Sequence, residues 1–105
     1  TGVQHLLKLG FVDEKRLGIY GWSYGGFMTV NAMLNAPDVF AAGAGGAPVT
    51  DYLNYDTIYT ERYMGLPSEN EAGYKKTSLP LQAANLKGKL MLIHAFEDDN
   101  VLFQN

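Results

Sequence analysis

Five residues have the types and spacing for nucleophilic chemistry: Gly21, Trp22, Ser23, Tyr24 and Gly25 read G-x-S-x-G. A serine in that string belongs on a strained turn between a strand and a helix, where its hydroxyl projects from the backbone. Glycine is expected on both sides because the turn brings the flanking backbone close, so the pattern predicts that only hydrogen fits as a side chain at 21 and 25. The helix that follows would direct free N–H groups, that of Tyr24 first, toward a developing oxyanion. The implied chemistry is acyl transfer through a serine ester.

A neutral serine hydroxyl is a weak nucleophile and needs a general base, which in turn needs an acid to orient it. The chain has two histidines, His5 and His94. Enzymes with this serine motif carry their partners in the order serine, acid, histidine. Both histidines precede the acidic cluster Glu97, Asp98 and Asp99, so His5 reads as part of a surface helix and His94 as a structural strand-end residue. The base is expected beyond Asn105. The acids stand where a strand should end, which is where open α/β sheets place reacting groups. Spacing alone does not choose among the three, and a solvated acidic turn is the bland alternative.

The elements that would position these groups follow from apolar periodicity. Val3, Leu6 and Leu7 read as the last turns of an amphipathic helix closed by Gly10. Leu17 to Tyr20 suits a strand buried on both faces, and Phe27, Val30 and Leu34 mark a helix that must stop before Pro37. Phe40 to Val49 reads as a small-residue strand. Thr50 and Asp51 can cap a helix on which Tyr52, Tyr55, Tyr59 and Tyr63 fall within about 80° of one another, ending near Gly65 and Pro67. Aromatics at that spacing are most often core. Ser68 and Glu71 match a capping box, Leu81 to Leu86 a short helix after Pro80, and Leu90 to Phe96 a second clear strand. The alternation predicts an α/β fold with parallel strands and flanking helices.

Composition narrows the functional classes. The 105 residues hold 8 Lys and Arg against 11 Asp and Glu, with 47% apolar residues and no cysteine. Such a chain is globular, offers no basic stripe to nucleic acid, and has neither a disulfide scaffold nor a thiolate metal site. No apolar run approaches the roughly 20 residues of a membrane span. No metal or organic cofactor is needed for the chemistry above, and the compartment stays open. The chain starts at Thr1 and ends at Asn105 without a terminating pattern, so a single partial domain, truncated at both ends, is expected.

Three stretches, Gly21-Trp22-Ser23-Tyr24-Gly25-Gly26, Tyr59-Thr60-Glu61-Arg62-Tyr63-Met64-Gly65-Leu66-Pro67 and Asp98-Asp99-Asn100-Val101, together resemble the catalytic domain of the dipeptidyl peptidase IV branch of the prolyl oligopeptidase family of serine peptidases. The resemblance implies residues 1–105 of an α/β-hydrolase domain, with a β-propeller and the triad histidine outside the chain. It implies release of N-terminal dipeptides with Pro or Ala second, from peptides with a free N-terminus. Carried over residue by residue, Ser23 would be the nucleophile and Asp98 the triad acid. Tyr24 would supply an oxyanion N–H and line the S1 pocket with Val49, Tyr52, Tyr55, Tyr59 and Val101, while Asn100 would bind a substrate carbonyl near P2. A pocket of aromatic faces suits proline, a flat apolar ring without an N–H. Ala95 and Tyr52 depart from the family, which generally has Gly and in some members Trp there. A homodimer of the full-length protein is left open. The rival readings are another α/β-hydrolase, such as an acylaminoacyl peptidase or esterase, and a non-catalytic hydrolase-like binding domain.

Overall fold

The computed structural model describes residues 1–105. Three strands, β1 (Gly18–Trp22), β2 (Ala42–Gly46) and β3 (Lys89–Ile93), form a parallel sheet in the order β1-β2-β3. In register, Trp22 lies beside Gly46 and Gly46 beside Ile93. Helix α1 (Gly2–Lys8) precedes β1, α2 (Tyr24–Asn35) connects β1 to β2, and α3 (Thr57–Met64) and α4 (Glu71–Thr77) occupy the long passage to β3. No helix is long and apolar enough to cross a membrane.

The composition of β2, Ala-Gly-Ala-Gly-Gly, is explained by what lies on it. A Cβ at Gly43 would stand 2.8 Å from Met33 Cγ, and one at Gly45 would stand 3.0 Å from Val30 Cγ2. On the opposite face the Trp22 indole covers Gly46. With side chains absent, α2 rests directly on the strand and buries Phe27, Val30, Met33 and Leu34. Phe27, Val30 and Leu34 join Val49, Tyr52, Tyr74, Leu79 and Val101 in one apolar cluster, so residues from α2, α4 and the loops after β2 and β3 share a core. The face of the sheet turned away from α2 is open. Tyr20, Trp22 and Met91 are exposed there, so β1 is not the doubly buried strand expected from its sequence.

Several boundaries differ from expectation for local reasons. The four tyrosines do not share one helix: Tyr52 is on a 3-10 turn (Tyr52–Asn54), Tyr55 is extended, and α3 begins only at Thr57. Two aspartates interrupt the run, because Asp51 accepts from the Leu53 N–H and Asp56 from the Tyr59 N–H. Such side chains favour a fresh cap over a continuous helix. The α3 terminus falls at Gly65, with φ of 72°, as expected. Helix α4 is capped by Asn70 rather than Ser68. Asn70 Oδ1 accepts from the Gly73 N–H while its Nδ2 donates to the Met64 carbonyl, tying the end of α3 to the start of α4. Strand β1 runs through Gly21 and Trp22, whereas β3 stops at Ile93 and leaves Phe96 exposed. Residues 14–16 and 80–85 form 3-10 helices, the first not anticipated.

The glycine reading also needs correction. A Cβ at Gly21 would lie 2.1 Å from the Gly25 carbonyl oxygen, as the tight turn demands, but a Cβ at Gly25 would meet nothing within 4 Å. The second close approach is at Gly26, where a Cβ would lie 2.4 Å from the Gly46 oxygen and 3.1 Å from Pro48 Cα. Both obstacles are backbone and cannot rotate away. Gly26→Ala is therefore expected to destabilise the fold by about 1–3 kcal/mol, the usual cost of overpacking, and Gly25→Ala by much less. Denaturant midpoints of the two variants check this; equal losses would mean that α2 does not rest on β2 as described.

Candidate active site

Ser23 closes β1 and caps α2 with φ of 56° and ψ of −119°, one of two non-glycine residues with positive φ. A β-substituted residue held there costs on the order of 1–3 kcal/mol and persists only when its surroundings fix it. They do so from both sides. The Ser23 N–H donates to the Gly46 carbonyl at 2.8 Å, and its carbonyl accepts from the Phe27 N–H at 3.0 Å. Its hydroxyl makes no cap bond to the helix, and no acceptor in the chain engages the Tyr24 N–H. An unengaged hydroxyl thus belongs to the residue just before a free N–H at the positive end of a 12-residue helix.

The acidic cluster follows β3 at the same carboxyl edge of the sheet. Two strand spacings, about 10 Å, separate β1 from β3, which leaves room for one imidazole between groups at their ends. Only one of the three acids is tied down. Asp98 Oδ1 accepts from the N–H groups of Asn100 at 3.0 Å and Val101 at 2.9 Å, while Glu97 and Asp99 are exposed. The Val101 and Asn100 N–H groups hold the Asp98 carboxyl below its ordinary range, with partial desolvation opposing them and His94 adding a smaller push in the same direction. His94 itself lies just past β3, its ring turned to the Val101 carbonyl. His5 is on exposed α1, away from these groups.

The tyrosines form a continuous run of rings. Tyr24 contacts Phe27 at 5.8 Å between centroids, Phe27 contacts Tyr52 at 5.2 Å, and Tyr52, Tyr55, Tyr59 and Tyr63 follow at 6.4, 5.5 and 5.0 Å. Most of these pairs are edge-to-face or tilted, the favoured geometry for aromatic quadrupoles. Tyr24, Tyr52 and Tyr59 line a cavity of about 540 Å³ together with Phe27, Tyr63 and Met64. Burial, and after it the neighbouring phenols, push the Tyr52 hydroxyl above the usual phenol range; desolvation and Tyr63 do the same to Tyr59.

Not every expected wall residue faces that cavity. Tyr55 turns its hydroxyl to Asn100, donating to Oδ1 at 3.0 Å and leaving the amide N–H groups of Asn100 free to face outward. Val49 and Val101 are 3% and 1% exposed, so they back the wall from the core. Phe27, expected only as a helix core position, is the ring that joins Tyr24 to the others, and its i, i+3 relation to Tyr24 is the sequence signal for that contact.

A lowered carboxyl contributes stability that is complete above the ordinary carboxylate range and is lost as pH falls through the depressed value. The amide protons of Asn100 and Val101 should therefore shift together on acidification, with a midpoint below 3.8, the usual value for this group. NMR titration checks it, and Asp98→Ala should abolish the shared transition; a midpoint above 3.8 would contradict the two hydrogen bonds.

Comparison with known proteins agrees with this geometry. The sequence model described as the prolyl oligopeptidase family (Peptidase S9) matches residues 1–105. Human dipeptidyl peptidase 8 is 45% identical over 106 residues, covering 97% of this chain and 12% of that protein. Among solved structures, Porphyromonas gingivalis dipeptidyl peptidase 4 superimposes with a TM-score of 0.94 at 43% identity, over 98% of this chain and 15% of that one. A Bacteroides ovatus protein does so with a TM-score of 0.97 at 45% identity, over 98% and 15%. The chain thus spans only about an eighth of the curated relative's length, 12%. Its parallel sheet, serine elbow and flanking helices are those of an α/β-hydrolase, and the chain belongs to the prolyl oligopeptidase family, where its likeness is to the dipeptidyl peptidase IV branch.

Proposed function

We propose that these residues carry the nucleophile, the triad acid and the S1 wall of a serine peptidase that releases N-terminal dipeptides with Pro or Ala at the second position. The observation that carries the reading is the backbone of Ser23, held at φ of 56° between strand and helix with its hydroxyl unengaged. Positive φ at a serine is costly, and this conformation is the one that exposes the nucleophile.

Ser23 Oγ attacks the scissile carbonyl as a histidine, supplied by the protein outside these residues, takes its proton. The Tyr24 N–H donates a hydrogen bond to the developing oxyanion, and the histidine passes the proton to the departing amine. Water then hydrolyses the acyl-enzyme by the same route in reverse. Asp98 orients the histidine through Oδ2, since Oδ1 is engaged by the two loop N–H groups. The proline ring packs on Tyr24, Tyr52 and Tyr59, with Val49 and Val101 behind them. Asn100, held by Tyr55, presents its amide N–H to a substrate carbonyl. The 105 residues alone should show no turnover, because His94 is bonded to a carbonyl and His5 lies elsewhere.

In the full-length protein a fluorophosphonate should label Ser23, detectable as a mass adduct on its peptide. Labelling elsewhere would remove the nucleophile assignment. Specificity is tested at Tyr59, which is 39% exposed and so contributes less to the core than Tyr52. Tyr59→Ala is expected to lower kcat/KM for a Pro substrate by about 10- to 200-fold, the range for lost apolar contacts in a pocket, and turnover of a small ester much less. Parallel loss of both activities with a fallen Tm would show instead that the ring is core packing.

A further inference from the structure

His94 has no part in the chemistry above, yet its surroundings are specific. It is the first residue after β3, and its side chain is 15% exposed. Nε2 lies 2.6 Å from the Val101 carbonyl oxygen and 3.6 Å from Asp98 Oδ2, and the ring meets Phe103 edge-on at 5.8 Å. A carbonyl only accepts hydrogen bonds, so Nε2 must carry a proton. That tautomer makes His94 a donor to the loop and excludes it as a base toward Ser23 through the same nitrogen.

We propose that His94 is the positioning residue that sets the Asp98 carboxylate, acting through Val101, whose carbonyl and N–H lie in the peptide groups on either side of its Cα. The Val101 residue is gripped at both polar groups: its N–H donates to Asp98 Oδ1 at 2.9 Å and its carbonyl accepts from His94 Nε2. Its side chain is held in the core, 1% exposed. With its carbonyl anchored on one side of Cα and its side chain seated in the core, Val101 has little freedom to turn, so its N–H in the preceding peptide group keeps its direction and, with that of Asn100, occupies Oδ1. The carboxylate then has one rotational setting that satisfies the loop, and Oδ2 is the oxygen left for the orienting role. Without the His94 bond the only grip on the Val101 carbonyl is lost, the two N–H groups can turn, and the carboxylate follows them.

This inference rests on the proposed role of Asp98 as triad acid, and the test separates the two. In the full-length protein, His94→Leu removes the donor, His94→Gln restores an N–H near the Nε2 position, and His94→Asn keeps polarity but falls short of the carbonyl. Kinetics on a Pro substrate are measured well below each variant's Tm, in the native and the Asp98→Asn backgrounds. His94→Leu and His94→Asn should lower kcat by about 10- to 100-fold, the range for residues that orient a working group from behind it, with KM changed less than about 3-fold. His94→Gln should recover most of the loss. In the Asp98→Asn background the same replacements should cost little, because the group they position has already been changed. Equal losses in both backgrounds, or an Asn variant as active as the Gln variant, would overturn the inference and leave His94 as packing. Should His94→Leu fail to fold, the Gln and Asn pair decides. An unlabelled Ser23 with fluorophosphonate in the unmodified protein would overturn the peptidase reading, and the inference with it.

Discussion

The close approach of α2 to β2 is the constraint on which the other features depend. With hydrogen at Gly26, the helix backbone reaches the Gly46 carbonyl region and the Pro48 ring without an intervening side chain. The same carbonyl accepts from the Ser23 N–H, so one backbone group both receives the helix and pins the strained serine. From that contact the helix axis is set, Val30 and Met33 come down on Gly45 and Gly43, and Phe27 is delivered to the aromatic run. A larger residue at Gly26 would meet backbone that cannot turn aside and would press the helix away from the carbonyl that pins the serine. Packing and reactivity are thus settled by the same atoms.

Much of this was legible in the residues, and the exceptions share a physical cause. The serine turn, the three strands and the helix Phe27 to Asn35 were visible because glycine spacing and apolar periodicity are local signals. Spacing did not distinguish Glu97, Asp98 and Asp99, although the family resemblance pointed to Asp98, because which carboxylate the loop's own N–H groups meet is a matter of loop geometry and three adjacent acids look alike in composition. Periodicity suggested one helix for the four tyrosines because it ignores side-chain caps, and Asp51 and Asp56 each start a new turn. Asn70 displaced Ser68 as a cap for a tertiary reason: its amide also reaches Met64 on the preceding helix, a partner that no local pattern encodes. Gly25 was expected to be the tight position and Gly26 is, because which face of the first helical turn meets β2 is a matter of three-dimensional angle.

The two halves of the site differ in electrostatic character. The wall is built mainly of aromatic faces, and at Tyr52 and Tyr59 desolvation and neighbouring phenols raise the hydroxyl above its ordinary range. At the end of β3 the opposite holds: a carboxylate is stabilised in its charged form by two oriented N–H groups. Separation of the two environments matters because an anion beside the apolar wall would draw water into it. Val101 is the joint between them, its side chain in the core under the wall and its peptide in the loop of Asp98.

The hydrogen bond from Tyr55 to Asn100 ties ring geometry to amide orientation across 45 residues of sequence. Its consequence lies in how the site can be reshaped. The ring of Tyr55 stands edge-on between those of Tyr52 and Tyr59, which line the cavity, while its hydroxyl sets the facing of Asn100, so the two functions sit on separable parts of one side chain. Phenylalanine at 55 would keep the ring contacts and release the Asn100 amide, whereas a smaller side chain would change both at once. Loss of that hydroxyl leaves Asn100 Oδ1 without its donor, so homologues with Phe at 55 would be expected to hold residue 100 by another group or to differ there.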